Sequence, residues 1–258
     1  MSFDSPLPTD QYDYPGLPTL SLEAIHDRRE RVFLFFVGLF LGTLAMINII
    51  GVTRFIDLSF TVPGLAWTVP MPLAVGVLPY PVTFLCTDFV SELYGKRRAN
   101  QLVIVGLGVN LWVALILWLG GVLPVSDGTA DADLFMGVRS LAFGSIFASM
   151  VAYLTAQLID VQLFHFWRDL TDGRHLWLRN NGSTMVSQLV DTVAVILIVY
   201  AVGGITLDPD RDVSSQLLVF IGAGYTFKLL AALLDTGPFY LGVRVLSRFL
   251  RLPPIKSV

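Results

Sequence analysis

Ionisable and amide side chains recur inside long apolar stretches of this chain, where they are costly to place. Some of them come in pairs three or four residues apart, a spacing that puts both side chains on one face of a helix. The candidates for binding or chemistry are therefore Asp88, Glu92, Gln157, Asp160, Gln188, Asp191 and Lys228.

A charge at the centre of a membrane-spanning helix costs at least about 2.5–3.5 kcal/mol. Such groups are kept either as contacts between helices or because they bind something. Asp191 and Lys228 could neutralise each other as a buried ion pair. Asn48 and Asn110 are more typical of hydrogen bonds that pack helices together. A carboxylate beside an amide also complements a planar, polar small molecule, so the set predicts a shared binding cavity.

The composition indicates an integral membrane protein of the all-α class. Of the 258 residues, 54% are hydrophobic and 14% are charged, whereas soluble domains carry about 25% charged residues. A helix needs about 20 apolar residues to cross the bilayer. The hydropathy pattern predicts a bundle of six transmembrane helices at 32–53, 72–93, 99–121, 137–162, 183–204 and 214–236.

The basic residues predict the orientation. Thirteen of the 17 lie in segments on one side of the six spans, three lie on the other side, and Lys228 lies within a span. The positive-inside rule therefore places both termini in the cytoplasm.

Proline-rich segments mark the ends of the predicted domain. Residues 1–27 are predicted to be a disordered cytoplasmic tail, 28–250 the six-helix domain and 251–258 a short cytoplasmic tail. Five prolines within 55–82 predict an irregular segment before the second helix, which could begin with an unwound or re-entrant turn.

Several classes of protein fit the sequence poorly. A net charge of -3 gives no indication of nucleic-acid binding, and the single cysteine, Cys86, cannot form an internal disulfide. Three scattered histidines do not suggest a metal centre, and we expect no cofactor and no catalytic residues. An intramembrane enzyme using Asp88 with Glu92, or Asp160 with Asp191, is an alternative, although no nucleophile with a base accompanies these carboxylates.

The stretch Thr87–Ala99 (TDFVSELYGKRRA) resembles a signature of the queuosine precursor transporter family, also called the putative vitamin uptake transporter family. Pro79–Phe84, Ser187–Thr192, and Tyr225 with Lys228 agree with this resemblance. It extends over roughly residues 32–245.

The resemblance implies a multi-pass protein of the bacterial inner membrane that imports 7-deazaguanine bases, such as 7-cyano-7-deazaguanine and its aminomethyl form, for tRNA modification. The expected partners are this small-molecule substrate and membrane lipid, with no nucleic acid. Two alternatives are a substrate-capture subunit of an energy-coupling vitamin uptake complex and a purely structural protein. Gly38 and Gly42 form a Gly-x-x-x-Gly spacing that would suit a homodimer.

Overall fold

A computed structural model of the protein describes residues 12–50, 54–61, 68–69, 71–126, 132–201, 205 and 207–253. Six α-helices account for most of these residues. They are α1 (Leu22–Ile50), α2 (Tyr80–Tyr94), α3 (Lys96–Val122), α4 (Ala132–Leu170), α5 (Leu176–Ala201) and α6 (Val213–Phe249).

Four of these helices are long and apolar enough to cross a membrane, judged by length and composition alone. They are α1, α3, α5 and α6. Helix α2 has only 15 residues, or about 22 Å of rise, which is short of the hydrocarbon thickness. Helix α4 has 39 residues and is about 58 Å long, well beyond a single crossing.

Helix α2 begins at Tyr80, although the sequence predicted that the second span begins at residue 72. The preceding segment forms a β-hairpin. Strand β1 (Phe55–Asp57) pairs with β4 (Pro72–Ala74), and β2 (Phe60–Thr61) pairs with β3 (Thr68–Val69), both antiparallel. A 3₁₀ turn at Val75–Val77 leads into α2.

The two ladders keep the same register, so they are two parts of one hairpin. Phe55 lies opposite Ala74 and Phe60 lies opposite Val69, and between the ladders Leu58 donates its backbone N–H to the carbonyl of Met71 at 3.1 Å. The sequence predicts an irregular segment here and no hairpin, because proline is typical of the end of a helix and does not indicate strand pairing.

The described ends of the chain meet at one end of the bundle, which we call the terminal end. The hydroxyl of Tyr14 donates to the carbonyl of Leu252 at 2.9 Å, and Nε of Arg29 donates to the carbonyl of Leu250 at 3.0 Å. Arg98, at the start of α3, pairs with Glu30 of α1 at 3.2 Å at this same end.

The predicted tail boundaries at residues 27 and 251 fall within these contacts. Helix α1 begins at Leu22, and Tyr14 and Arg251 are buried. Arg251 donates to the carbonyl of Pro18 at 2.5 Å. Residues 1–11 and 254–258 of the two predicted tails lie outside the described residues.

The connection between α2 and α3 is a single glycine. Gly95 has a φ of +85° and ends α2, with its N–H bonded to the carbonyl of Ser91 at 3.2 Å. Only glycine adopts this backbone conformation without steric cost. The Tyr-Gly-Lys-Arg-Arg sequence therefore reverses the chain in one residue.

The apolar core between α1, α2 and α6 is built around Phe89. Its ring stacks on Phe36 with centroids 4.9 Å apart and contacts Phe239 at 5.0 Å. Helix α6 approaches α2 closely at Gly242, where an added Cβ would lie 2.5 Å from the ring of Phe89.

We predict that Gly242→Ala lowers the melting temperature of the purified protein, because Phe36 and Phe239 hold the Phe89 ring in place. Overpacking of this kind costs about 1–3 kcal/mol. The matched control is Gly222→Ala in the same helix, where an added Cβ would have no neighbour within 4 Å. A Gly242→Ala protein at least as stable as the control would show that the ring can move.

Candidate functional site

Buried polar side chains form a continuous line along the facing sides of α2, α4, α5 and α6. We call this line the polar seam. Its members are Asp88, Glu92, Gln157, Asp160, Arg179, Thr184, Ser187, Gln188, Asp191 and Lys228. All seven residues predicted from the sequence belong to it.

The direction of the helices explains how these residues meet. Asp88 and Glu92 of α2 lie near Thr184 and Arg179 of α5, so α2 and α5 run antiparallel. Helix α6 runs parallel to α2, because Tyr80 contacts Lys228 and Phe89 contacts Phe239. Thr87 of α2 contacts Gln157 of α4.

At the level farthest from the terminal end, Lys228 and Asp191 form a buried ion pair. Nζ of Lys228 lies 2.7 Å from Oδ2 of Asp191, with side-chain exposures of 7% and 3%. The ammonium group also lies 4.4 Å from the centroid of the Tyr80 ring. The pairing considered in the sequence analysis is present in the structure.

The middle level contains two carboxylates and an amide. Ser187 donates to Oδ1 of Asp160 at 2.8 Å, and Thr184 donates to Oδ2 of Asp88 at 3.4 Å. Thr87 donates to Oε1 of Gln157 at 3.3 Å.

Three polar atoms at this level have no hydrogen-bond partner among the described residues. They are Oδ1 of Asp88, Oδ2 of Asp160 and Nε2 of Gln157. Buried polar atoms are normally satisfied, so each of these calls for an explanation.

At the level nearest the terminal end, Arg179 bridges α2 and the loop between α4 and α5. Its Nη2 lies 2.8 Å from Oε1 of Glu92, and its Nη1 donates to the carbonyl of Gly173 at 3.1 Å. Gly173 has a φ of +76°, which suits the tight loop.

Distances along α2 separate the three levels. Eight residues separate Tyr80 from Asp88 and four more separate Asp88 from Glu92, which correspond to about 12 Å and about 6 Å of helix rise. The seam therefore spans more than half of the hydrocarbon core of a bilayer, which is about 30 Å thick.

Sequence reasoning missed Arg179 and the hydroxyl-bearing residues of α5. Arg179 was counted as a cytoplasmic loop residue because the fifth span was predicted to begin at 183, whereas α5 begins at Leu176. The sequence does contain a pattern that indicates the polar face of α5. Positions 180, 183, 184, 187, 188 and 191 are all polar and fall at helical spacing on one face.

Four aromatic residues of α2, α4 and α6 divide into two groups by their distance from the polar seam. Phe84 and Tyr225 lie beside the seam, where Phe84 contacts Tyr80 and the Tyr225 hydroxyl donates to the carbonyl of Met185 at 3.3 Å. Tyr94 instead packs against α1, with its hydroxyl 2.8 Å from the carbonyl of Arg29. Trp167 lies at the contact of α4 with Gly182.

Asn48 and Asn110 pack α1 against α3. Nδ2 of Asn48 donates to Oδ1 of Asn110 at 2.5 Å, away from the polar seam. The interpretation of these residues as helix-packing groups is confirmed.

Long apolar helices that bury a line of charged and amide groups between them define a multi-pass helical membrane protein. Comparison with known proteins identifies which kind. The family described as "Putative vitamin uptake transporter" matches residues 74–242, which include every member of the polar seam. The chain belongs to this family, as the resemblance of Thr87–Ala99 indicated, and it is a multi-pass bacterial membrane protein.

Bacterial proteins similar to the chain are named as queuosine precursor transporters. A protein of Bacillus subtilis named "Probable queuosine precursor transporter" is 33% identical over 46% of this chain and 52% of its own length. The match thus spans only about half of that relative. The Escherichia coli "Queuosine precursor transporter" is 23% identical over 64% of this chain and 70% of its own length.

The third relative, from Haemophilus influenzae, is also named "Probable queuosine precursor transporter". It is 28% identical over 72% of this chain and 74% of its own length. No solved structure matches the chain.

We predict that Lys228→Met and Asp191→Asn each lower the melting temperature, whereas the double variant recovers most of the loss. Removing one partner of a buried pair leaves an uncompensated charge, at a cost of about 3–5 kcal/mol. The interaction is measured by a double-mutant cycle in detergent.

Asp208→Asn is the control for this cycle, because it removes an exposed ion pair with Arg211. It should leave the melting temperature nearly unchanged. Additive effects of Lys228→Met and Asp191→Asn would contradict a coupled pair.

Proposed function

We propose that this protein imports queuosine precursors, bases of the 7-deazaguanine class, across the bacterial inner membrane. Membership of the family and the names of the three relatives support this proposal. The observation that carries it is the polar seam, a line of donors and acceptors buried between four helices with one amide donor still unpartnered among the described residues. We assign the protein no catalytic role and no cofactor.

The chemistry of a guanine-like base complements the seam. Its edge presents two adjacent N–H donors and a carbonyl acceptor, which a carboxylate and an amide or ammonium group can bind. We place the base beside Gln188 and Asp191 of α5, with Lys228 of α6 as the donor toward its carbonyl and Gln157 of α4 in the lining at the middle level.

The remaining acids complete the proposed lining. Asp88 and Glu92 of α2 and Asp160 of α4 belong to the same line of buried groups. Because Asp191 and Lys228 already neutralise each other, a neutral base can bind beside them without bringing a net charge into the membrane.

We extend the proposal to the topology. All six helices cross or enter the membrane, with the hairpin and 3₁₀ turn completing the short α2, and the terminal end faces the cytoplasm. Arg98, Arg168 and Arg174 lie at or beside this end, in agreement with the positive-inside rule. The exposed Gly38 and Gly42 of α1 face lipid or a second copy of the chain.

We predict that a cysteine at Arg174 is labelled only from the cytoplasm and a cysteine at Asp210 only from outside. Both positions are exposed. Both replacements are made in a Cys86→Ala background, so that the introduced cysteine is the one thiol present; the native cysteine is buried. Impermeant maleimide labelling of intact and permeabilised cells distinguishes the sides. Labelling of Arg174→Cys in intact cells would show that the proposed orientation is wrong and that the terminal end faces outward.

The substrate placement is tested in cells that cannot make queuosine precursors and are supplied with limiting 7-deazaguanine base. We predict that the double variant Asp191→Asn/Lys228→Met inserts at normal abundance but fails to support queuosine in tRNA. Loss of a hydrogen bond to a charged group costs about 1.5–3 kcal/mol, or roughly one to two decades of affinity.

Gln188→Ala should fail in the same way, whereas Gln101→Ala, at an exposed position of α3, is the matched control. Normal queuosine levels in both seam variants at normal abundance would overturn the placement.

Uptake by the purified protein alone, in liposomes, distinguishes a transporter from a substrate-capture subunit. We expect labelled base to exchange across the vesicle membrane without any ATPase subunit. Binding without exchange would favour the capture subunit.

A further inference from the structure

The middle level of the polar seam contains more acidic groups than it can neutralise by ion pairing. Among the described seam residues there are four acids, Asp88, Glu92, Asp160 and Asp191, and two bases. Arg179 pairs with Glu92, and Lys228 pairs with Asp191. Asp88 and Asp160 are left without a cation.

These two carboxyl groups are neighbours, and two hydroxyls of a single face of α5 bind them, Thr184 donating to Asp88 and Ser187 donating to Asp160. Their exposures are 3% and 0%. Oδ1 of Asp88 and Oδ2 of Asp160 accept no hydrogen bond from the described part of the chain. Two ionised carboxylates have no donor between them, so a hydrogen bond that joins them requires one proton.

The surroundings of the pair leave this charge uncompensated. On α5, Ser183, Thr184 and Ser187 contribute only hydroxyl groups. On α6, Asp235 adds negative charge near Asp88. Cys86, on α2 itself, is a buried thiol.

Titratable and charged groups on the other neighbouring helices lie toward the terminal end. Arg29 of α1 binds the carbonyl of Leu250, and Arg98 of α3 pairs with Glu30. His165 of α4 lies one turn and a residue beyond Asp160, toward that same end.

We propose that Asp88 and Asp160 form a proton-binding site that couples uptake of the base to the inward proton gradient. This inference rests on the proposed transport function. One proton, taken from water on the outer side, joins α2 to α4 through a shared hydrogen bond. When the site opens to the cytoplasm, the O–H bond breaks and the proton passes to water.

The loss of this proton has a mechanical consequence. Two buried negative charges then face each other in a medium of low dielectric, where their repulsion is far stronger than in water. Helices α2 and α4 are driven apart at this level, and reprotonation returns them. Protonation of the pair thus favours one of two arrangements of α2 and α4, and coupling requires such a shift between two states.

The first experiment uses the wild-type protein in liposomes with labelled 7-deazaguanine base. Counterflow measures binding and exchange without any gradient, and an imposed inward proton gradient then tests coupling. For one proton carried with a neutral base, a gradient of about one pH unit supports up to about tenfold accumulation. A pH-sensitive dye should register about one proton per base.

The outcomes separate the two claims. Absence of counterflow would overturn the transport function and this inference with it. Counterflow without proton-driven accumulation, or accumulation driven by a sodium gradient instead, would overturn the proton site alone.

Variants localise the proton. The new side chain in Asp88→Asn and in Asp160→Asn cannot take up a proton, so we expect an inward proton gradient to drive no accumulation of base in either variant, whatever counterflow each retains. Asp235→Asn, the nearby acid outside the pair, is the matched control and should accumulate base as the wild type does. Full accumulation by both pair variants would refute the assignment.

Infrared difference spectroscopy provides a readout that does not depend on transport. The wild-type protein at neutral pH should show the carbonyl band of a protonated carboxylic acid, and this band should shift in deuterium oxide. It should be missing in Asp160→Asn and present in Asp235→Asn. A wild-type protein without the band would contradict a shared proton even where the pair variants misfold.

Discussion

The central constraint on this protein is that a polar group buried between helices in lipid cannot be satisfied by water. Arg179 and Lys228 illustrate the consequence, because each reaches across to an acid on another helix. The first pair fixes α5 against α2, and the second fixes α5 against α6. Helix α5 therefore owes its position to charge pairing as well as to apolar packing.

Apolar packing supplies the complementary, fixed part of the molecule. Phe89 lies between Phe36 of α1 and Phe239 of α6, and the absence of a side chain at Gly242 lets α6 come close enough to contact it. Asp88 is the preceding residue of α2, so the aromatic side chain at the centre of this core and a carboxylate without a cation are neighbours in sequence. The core holds one face of α2 while the adjacent face presents ionisable groups to α4 and α5.

The sequence predicted which polar residues are buried between the helices better than it predicted the limits of the helices. Asp88, Glu92, Gln157, Asp160, Gln188, Asp191 and Lys228 could all be found because an ionisable or amide group in an apolar stretch is conspicuous. Arg179 could not be found in this way, since near a predicted helix end a basic residue is ordinarily a cytoplasmic anchor. The difference depends on where α5 begins, and hydropathy alone locates that point poorly.

The hairpin is a second structural feature that local sequence patterns do not predict. Of the prolines that favoured an irregular segment, Pro72 lies in a described strand, and it is the residue at which the pairing of β4 with β1 ends. Pairing between residues 55 and 74 depends on contacts distant in sequence, which no local pattern encodes.

The arrangement of charges along the seam connects these observations. The paired levels, Lys228 with Asp191 and Arg179 with Glu92, lie on either side of the level where Asp88 and Asp160 meet without a cation. A neutral ion pair can stay buried through a conformational change, because it carries no net charge to expose or to hide. A pair of acids cannot, since its net charge depends on whether a proton is present. The two ion pairs therefore suit positions that hold helices together, and the acid pair between them suits the position at which helices change partners.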